Sequence, residues 1–95
     1  MIRVMSFVSL TDEGVRNIAT FGDVVAKVRE AVTRNGGTLE QAWQTAGIYD
    51  FVAVLSFPDW EAEFRSRNEV YKMGVLRAQH VPAIPLDQAL NLISD

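Results

Sequence analysis

The sequence predicts an α+β domain with the element order β-α-β-β-α-β and an antiparallel sheet. Three observations carry this. Four segments rich in β-branched and aromatic residues alternate with two segments whose apolar residues recur at helical spacing. Glycine, proline and aspartate punctuate the joints between them. The 95 residues, 48% hydrophobic and 22% charged, have the size and balance of one globular domain, with no room for separate cofactor and substrate domains.

Residues 2–10 read as the first strand, ended by Thr11-Asp12-Glu13-Gly14. Residues 15–22 show no clear period, and Gly22 reads as a stop. Asp23 is the expected N-cap of the first helix, along which Val24, Val25, Val28, Ala31 and Val32 share one face. Asn35-Gly36-Gly37 ends that helix. The second strand, 38–45, is expected to put Leu39, Gln41 and Trp43 on one side. Ala46-Gly47 marks a turn, and 48–57 is the strongest strand of the chain. Pro58-Asp59 opens the second helix, with Asp59 as N-cap and Glu61 and Glu63 at the positive end of its dipole. Trp60, Phe64, Arg67 or Asn68, and Tyr71 are expected to follow one face of it. Gly74 closes it, residues 75–81 form the fourth strand, and Pro82 and Pro85 lead to a short amphipathic helix from about residue 85. Residues 1–95 are thus expected to form a single domain with a tail helix.

Two strand–helix–strand crossovers of the usual right hand put both helices on one face of the sheet. The result is a ferredoxin-like arrangement with strand order 4-1-3-2. Such a sheet should alternate apolar and polar residues, yet both faces here are apolar. In the third strand Tyr49, Phe51, Ala53, Leu55 and Phe57 oppose Ile48, Val52 and Val54; in the first, Met5 and Phe7 oppose Val4, Val8 and Leu10. The face the helices do not reach would be an exposed apolar patch, so a face-to-face homodimer is expected.

Composition excludes several classes of function. With no cysteine there is no disulfide framework, thiol nucleophile or iron–sulfur site. A net charge of −3, with Arg65, Arg67 and Lys72 diluted by Glu61, Glu63 and Glu69, argues against nucleic-acid binding. The longest apolar run, Phe51 to Leu55, is far below the ~20 residues of a membrane helix, and no signal peptide is visible. The expectation is a cytoplasmic protein whose partner is another copy of itself, without nucleic-acid or membrane contacts.

Gly47-Ile48-Tyr49-Asp50, followed by an apolar strand and Pro58-Asp59, resembles the GYD domain family, named for a Gly-x-Tyr-Asp type motif. Leu10-Thr11-Asp12-Glu13-Gly14-Val15-Arg16-Asn17-Ile18 and the helix ending at Gly36-Gly37 fit the same pattern, over roughly residues 4–80. The family is similar to the dimeric α/β-barrel proteins, which implies two ferredoxin-like sheets packed together. It implies architecture more than chemistry. The bulky, charged second helix and Ala78-Gln79-His80 depart from the family pattern where a pocket would lie.

The candidate residues each carry an ordinary reading beside the functional one. Asp50 is a candidate general base, or a carboxylate that fixes the hairpin by accepting backbone N–H groups. His80, the single histidine, is a candidate base near neutral pH or a haem ligand, or a strand-end side chain bonded to backbone or water. No second metal ligand accompanies it, and no cofactor is expected. Arg77 holds a substrate carboxylate or pairs with an acid across a dimer. Trp43, Tyr49 and Trp60, with Phe51, Phe64 and Tyr71, line a pocket or simply fill core and interface. Gly36-Gly37 lacks the spacing of a phosphate loop, and the serines have no evident triad. Three functions are compatible with this set. One is a homodimer that binds a small, partly apolar or aromatic ligand. Another, by similarity to dimeric-barrel isomerases, cyclases and monooxygenases, is a cofactor-independent enzyme with His80 or Asp50 moving a proton. In that case Arg77 and Tyr49 would orient the substrate between walls of Trp43 and Trp60. The third is a structural oligomerisation module.

Overall fold

The computed structural model describes residues 1–94. Strands β1 (Ile2–Leu10), β2 (Thr38–Gln44), β3 (Phe51–Phe57) and β4 (Leu76–Pro82) form one antiparallel sheet. The strand order is β2-β3-β1-β4, which is the expected 4-1-3-2 read from the opposite edge. Helices α1 (Asp12–Arg16), α2 (Phe21–Arg34), α3 (Trp60–Tyr71) and α4 (Leu86–Ser94) complete an α+β, ferredoxin-like architecture.

The segment that lacked a sequence period is ordered by local caps. Thr11 Oγ1 accepts from the Gly14 N–H at 3.1 Å, starting α1. The same hydroxyl donates to the Gly74 carbonyl at 2.7 Å, tying α1 to the end of α3. A 3-10 turn, Ile18–Thr20, then runs directly into α2. Asp23 is therefore not the N-cap: α2 begins at Phe21, Asp23 sits in its first turn, and Gly22 lies inside the helix. Asp59 caps α3 as expected, its Oδ1 accepting from the Ala62 N–H at 2.8 Å. Gly36, Gly47 and Gly74 all have positive φ, the conformation that lets the chain turn out of an element without a Cβ clash.

The core lies between the sheet and α2 and α3. Val4, Val32, Leu55, Phe57 and Ala62 form one buried cluster, and Ala31, Val70 and Leu76 a second. Helix α3 turns a different face inward from the one its aromatic spacing suggests. Ala62, Glu63, Ser66 and Val70 are buried, whereas Trp60, Phe64 and Tyr71 are exposed by 36% or more. Small side chains let the helix approach the sheet, while the larger rings sit at its flanks. Tyr71 spends its hydroxyl on the outer edge of β4, donating to the Ala78 carbonyl at 2.7 Å and accepting from its N–H at 3.3 Å. That occupies backbone groups an edge strand would otherwise leave unpaired.

A second departure reverses part of β2. A register shift between Leu39 and Gln41 leaves Glu40 as an extra residue. Leu39 pairs with Leu55 on the helix side, but Gln41 and Trp43 pair with Val54 and Val52 on the opposite side. The chain before Phe51 is also irregular, so Tyr49 does not continue the Phe51–Phe57 alternation. It lies against Phe7, ring centroids 5.1 Å apart, on the face away from the helices.

Candidate functional site

The sheet and helices enclose a cavity of about 110 Å³. Its walls are mostly aliphatic: Val8, Ala53, Leu55 and Ala78 from the sheet, Val25, Val28 and Val32 from α2, and Val70 from α3. Phe21 and Phe51, stacked with centroids 4.4 Å apart and planes within 4°, also line it. The polar residues at the wall are Ser6, Ser66, Arg67, Tyr71 and His80.

The strand pairing places His80. It stands on β4 opposite Ser6 of β1, and Ser6 in turn faces Ala53 of β3, so His80 points to the helix side of the sheet. There it meets α3. His80 Nδ1 lies 2.7 Å from Glu63 Oε2, and the side chains are 9% and 2% exposed. A carboxylate only accepts, so Nδ1 carries the proton in this contact, and the neutral ring keeps Nε2 as its acceptor. Glu63 is also held by Arg67 one turn later, through Nε at 2.8 Å and Nη2 at 3.2 Å. The Arg67 guanidinium lies 4.8 Å from the centre of the Phe64 ring, which fixes it from the outer side.

These contacts settle the charge balance. Arg67 and Glu63 neutralise one another, and a neutral His80 adds nothing to a buried site. Burial pushes the His80 imidazole below its ordinary value of 6.5; the Glu63 charge and hydrogen bond oppose this, and the Arg67 charge adds to it. Among the described residues, neither Nε2 nor the Ser6 and Ser66 hydroxyls find a protein hydrogen-bond partner. Since no buried polar side-chain atom among the described residues lacks a partner, these three groups border accessible space. The arrangement presents one nitrogen acceptor and two hydroxyls to an apolar chamber. Chemically it suits hydrogen bonding to a ligand, or removal of a proton by an imidazole that a buried carboxylate orients.

The other expected site residues are elsewhere. Asp50 Oδ2 accepts from the Leu10 N–H at 2.8 Å, and its own N–H donates to the Val8 carbonyl at 2.8 Å. Its carboxylate pins the loop to the end of β1 and does not line the cavity. Tyr49 is on the open face, its hydroxyl donating to Gln79 Oε1 at 3.1 Å. Arg77 is exposed opposite Ser9, on the same face, and makes no ion pair among the described residues. Trp43 shares that face and is 49% exposed. Trp60 borders an outer groove with Ile2, Pro82 and Ile84. The expected grouping of His80 and Asp50 with Arg77, Tyr49, Trp43 and Trp60 is thus corrected: of the six, His80 alone reaches the cavity. Glu63 and Arg67 were not among the expected site residues. Their signal was an acid and a base four apart, in register with the small residues Ala62, Ser66 and Val70 and not with the aromatic stripe. Among the described residues no three acidic or histidine side chains cluster to hold a metal ion. No helix among the described residues is long and apolar enough to cross a membrane.

The profile of the GYD domain matches residues 5–93, nearly the whole chain. The chain belongs to the GYD domain family. No curated protein matches it. In this GYD domain the Gly-Ile-Tyr-Asp segment lies outside the cavity, and its aspartate acts on the backbone.

Proposed function

We propose that this GYD domain works as a homodimer that binds a small, partly apolar molecule between sheet and helices. The observation that carries the reading is the apolar cavity with His80 held by Glu63 at 2.7 Å and Nε2 left as an acceptor. A cavity of about 150 Å³ with apolar walls takes up benzene. The 110 Å³ here fits a compound of slightly smaller size. Methyl-resolved NMR tests it: small branched compounds should shift Val8, Val28 and Val32 saturably, and Ala53→Leu, which fills the space, should remove the response. Shifts confined to the groove beside Trp60 and Ile84 would refute it.

The homodimer is supported by the face opposite the helices. Met5, Phe7, Val52 and Val54 are only half-buried there, and Trp43 and Val81 are 49% and 40% exposed. A second copy of the same face would cover them. Light scattering should give twice 10.6 kDa. A stable monomer at micromolar concentration would rule the dimer out.

The Glu63–His80 contact also supports a second reading, a cofactor-independent enzyme in which His80 Nε2 takes a proton from the bound molecule. Under that reading His80→Gln loses turnover of an acidic C–H or O–H substrate while the fold persists. Retained turnover in a folded His80→Gln protein would reject it.

A further inference from the structure

The charge and hydrogen-bonding inventory of the cavity specifies more than size. We infer that the cavity selects neutral molecules bearing a hydroxyl, which donates to His80 Nε2 and accepts from Ser6 or Ser66, and that it rejects carboxylates. This rests on the binding reading proposed above.

Three features lead to it. First, the acceptor is fixed. Glu63 accepts a hydrogen bond from the His80 Nδ1–H at 2.7 Å, so the nitrogen left for a ligand, Nε2, offers a lone pair that needs a donor. Second, the serine hydroxyls have no protein partner among the described residues, and each is able to donate to a ligand oxygen. A hydroxyl is the smallest group that both donates and accepts, so it satisfies the nitrogen and a serine together. A ketone oxygen satisfies the serine but leaves Nε2 unpaired. An alkane leaves all of them unpaired. Third, the cationic side chain at the wall is already matched. Arg67 gives two hydrogen bonds to Glu63, which is 2% exposed. A carboxylate entering here would bring a second negative charge beside Glu63 and shed its water in an apolar chamber, with no uncompensated cation to receive it.

The test uses the intact protein and three compounds of the same branched shape, each smaller than benzene: 2-propanol, acetone and acetate. The chain has one histidine, so the imidazole nitrogens of a 15N-labelled sample are unambiguous. The alcohol should shift Nε2 saturably and bind about tenfold more tightly than the ketone, the usual cost of leaving a buried acceptor unpaired. Acetate should produce no saturable shift. Equal binding of ketone and alcohol, or saturable binding of acetate, overturns the selectivity while leaving the cavity a binding site. If none of the three moves Nε2 or the valine methyls of the cavity, the binding reading fails, and the selectivity with it.

Discussion

His80 and Asp50 show how differently two polar residues on one small sheet are used. His80 is enclosed by Glu63 and Arg67 from α3 and by Ser6 from β1, and the fold favours its neutral form because burial outweighs the Glu63 charge. Its folded value lies below 6.5, so the unfolded chain binds the proton more readily. Stability contributed by neutral His80 is therefore complete above 6.5 and is lost as pH falls from there toward the lowered folded value. Urea unfolding between pH 7.5 and 5.5 should show this loss in the native protein and not in His80→Asn. An unchanged pH slope in that variant would contradict it. Asp50 works through the backbone instead, holding the Leu10 N–H at 2.8 Å. Asp50→Ala should cost about 1–3 kcal/mol of stability, the penalty for stranding a partly buried donor. The same variant should still bind cavity ligands, which NMR titration checks directly.

At the scale of elements, the joints carry as much information as the helices and strands. The turn from β1 into α1 docks on the entry to β4, with the Thr11 N–H donating to the Val75 carbonyl at 3.1 Å. Gly14, buried in α1, sits beside that same carbonyl, where a Cβ would come within 2.0 Å of the oxygen. Gly14→Ala should destabilise by about 1–3 kcal/mol or more through overpacking, and a lowered Tm in calorimetry would register it. Unchanged melting would mean that α1 can lift from β4 without cost. The bulge at Glu40 has an equally local cause and a wider effect. One extra residue moves Trp43 from the helix side to the open side, because side chains alternate with a period of two. Arg3 of β1 meets Glu40 there as an ion pair at 3.3 Å. Helix α3 turns its aromatic stripe outward for a related reason. Its aromatic spacing is regular, but rotation about the helix axis is decided by what fits against the sheet, and Ala62, Ser66 and Val70 fit more closely than Trp60 and Phe64.

As a whole, the molecule measures 50 × 30 × 16 Å along its principal axes. The thinnest dimension is the depth of a sheet with one layer of helices, the other side of the sheet being open. Helix α4 also has no buried residue, with Leu86 71% and Ile93 76% exposed. Two apolar surfaces in one small chain are the features a second copy would cover. Val54→Lys places a charge at the centre of the open face, next to Met5. It should convert the proposed dimer to a monomer by light scattering while leaving the helix-side cavity intact. A dimer that persists in Val54→Lys would move the interface elsewhere, α4 being the first place to look.

The element order, the strand order, the Asp59 cap and the apolar character of both sheet faces were legible in the sequence. Each follows from periodicity or from capping chemistry within a few residues, which local sequence encodes directly. The family was legible too, through the spaced Gly-Ile-Tyr-Asp and Pro-Asp features. The membership of the site was not. Whether Trp43 and Tyr49 join His80 depends on a one-residue bulge and an irregular approach to Phe51. Whether Glu63 is a solvated helix-start acid or the buried partner of His80 depends on the rotation of α3 against the sheet. Both are set by packing between segments distant in the chain. A residue of strand slip or a fraction of a helical turn changes which side chains meet, while leaving the local pattern of the sequence unaltered.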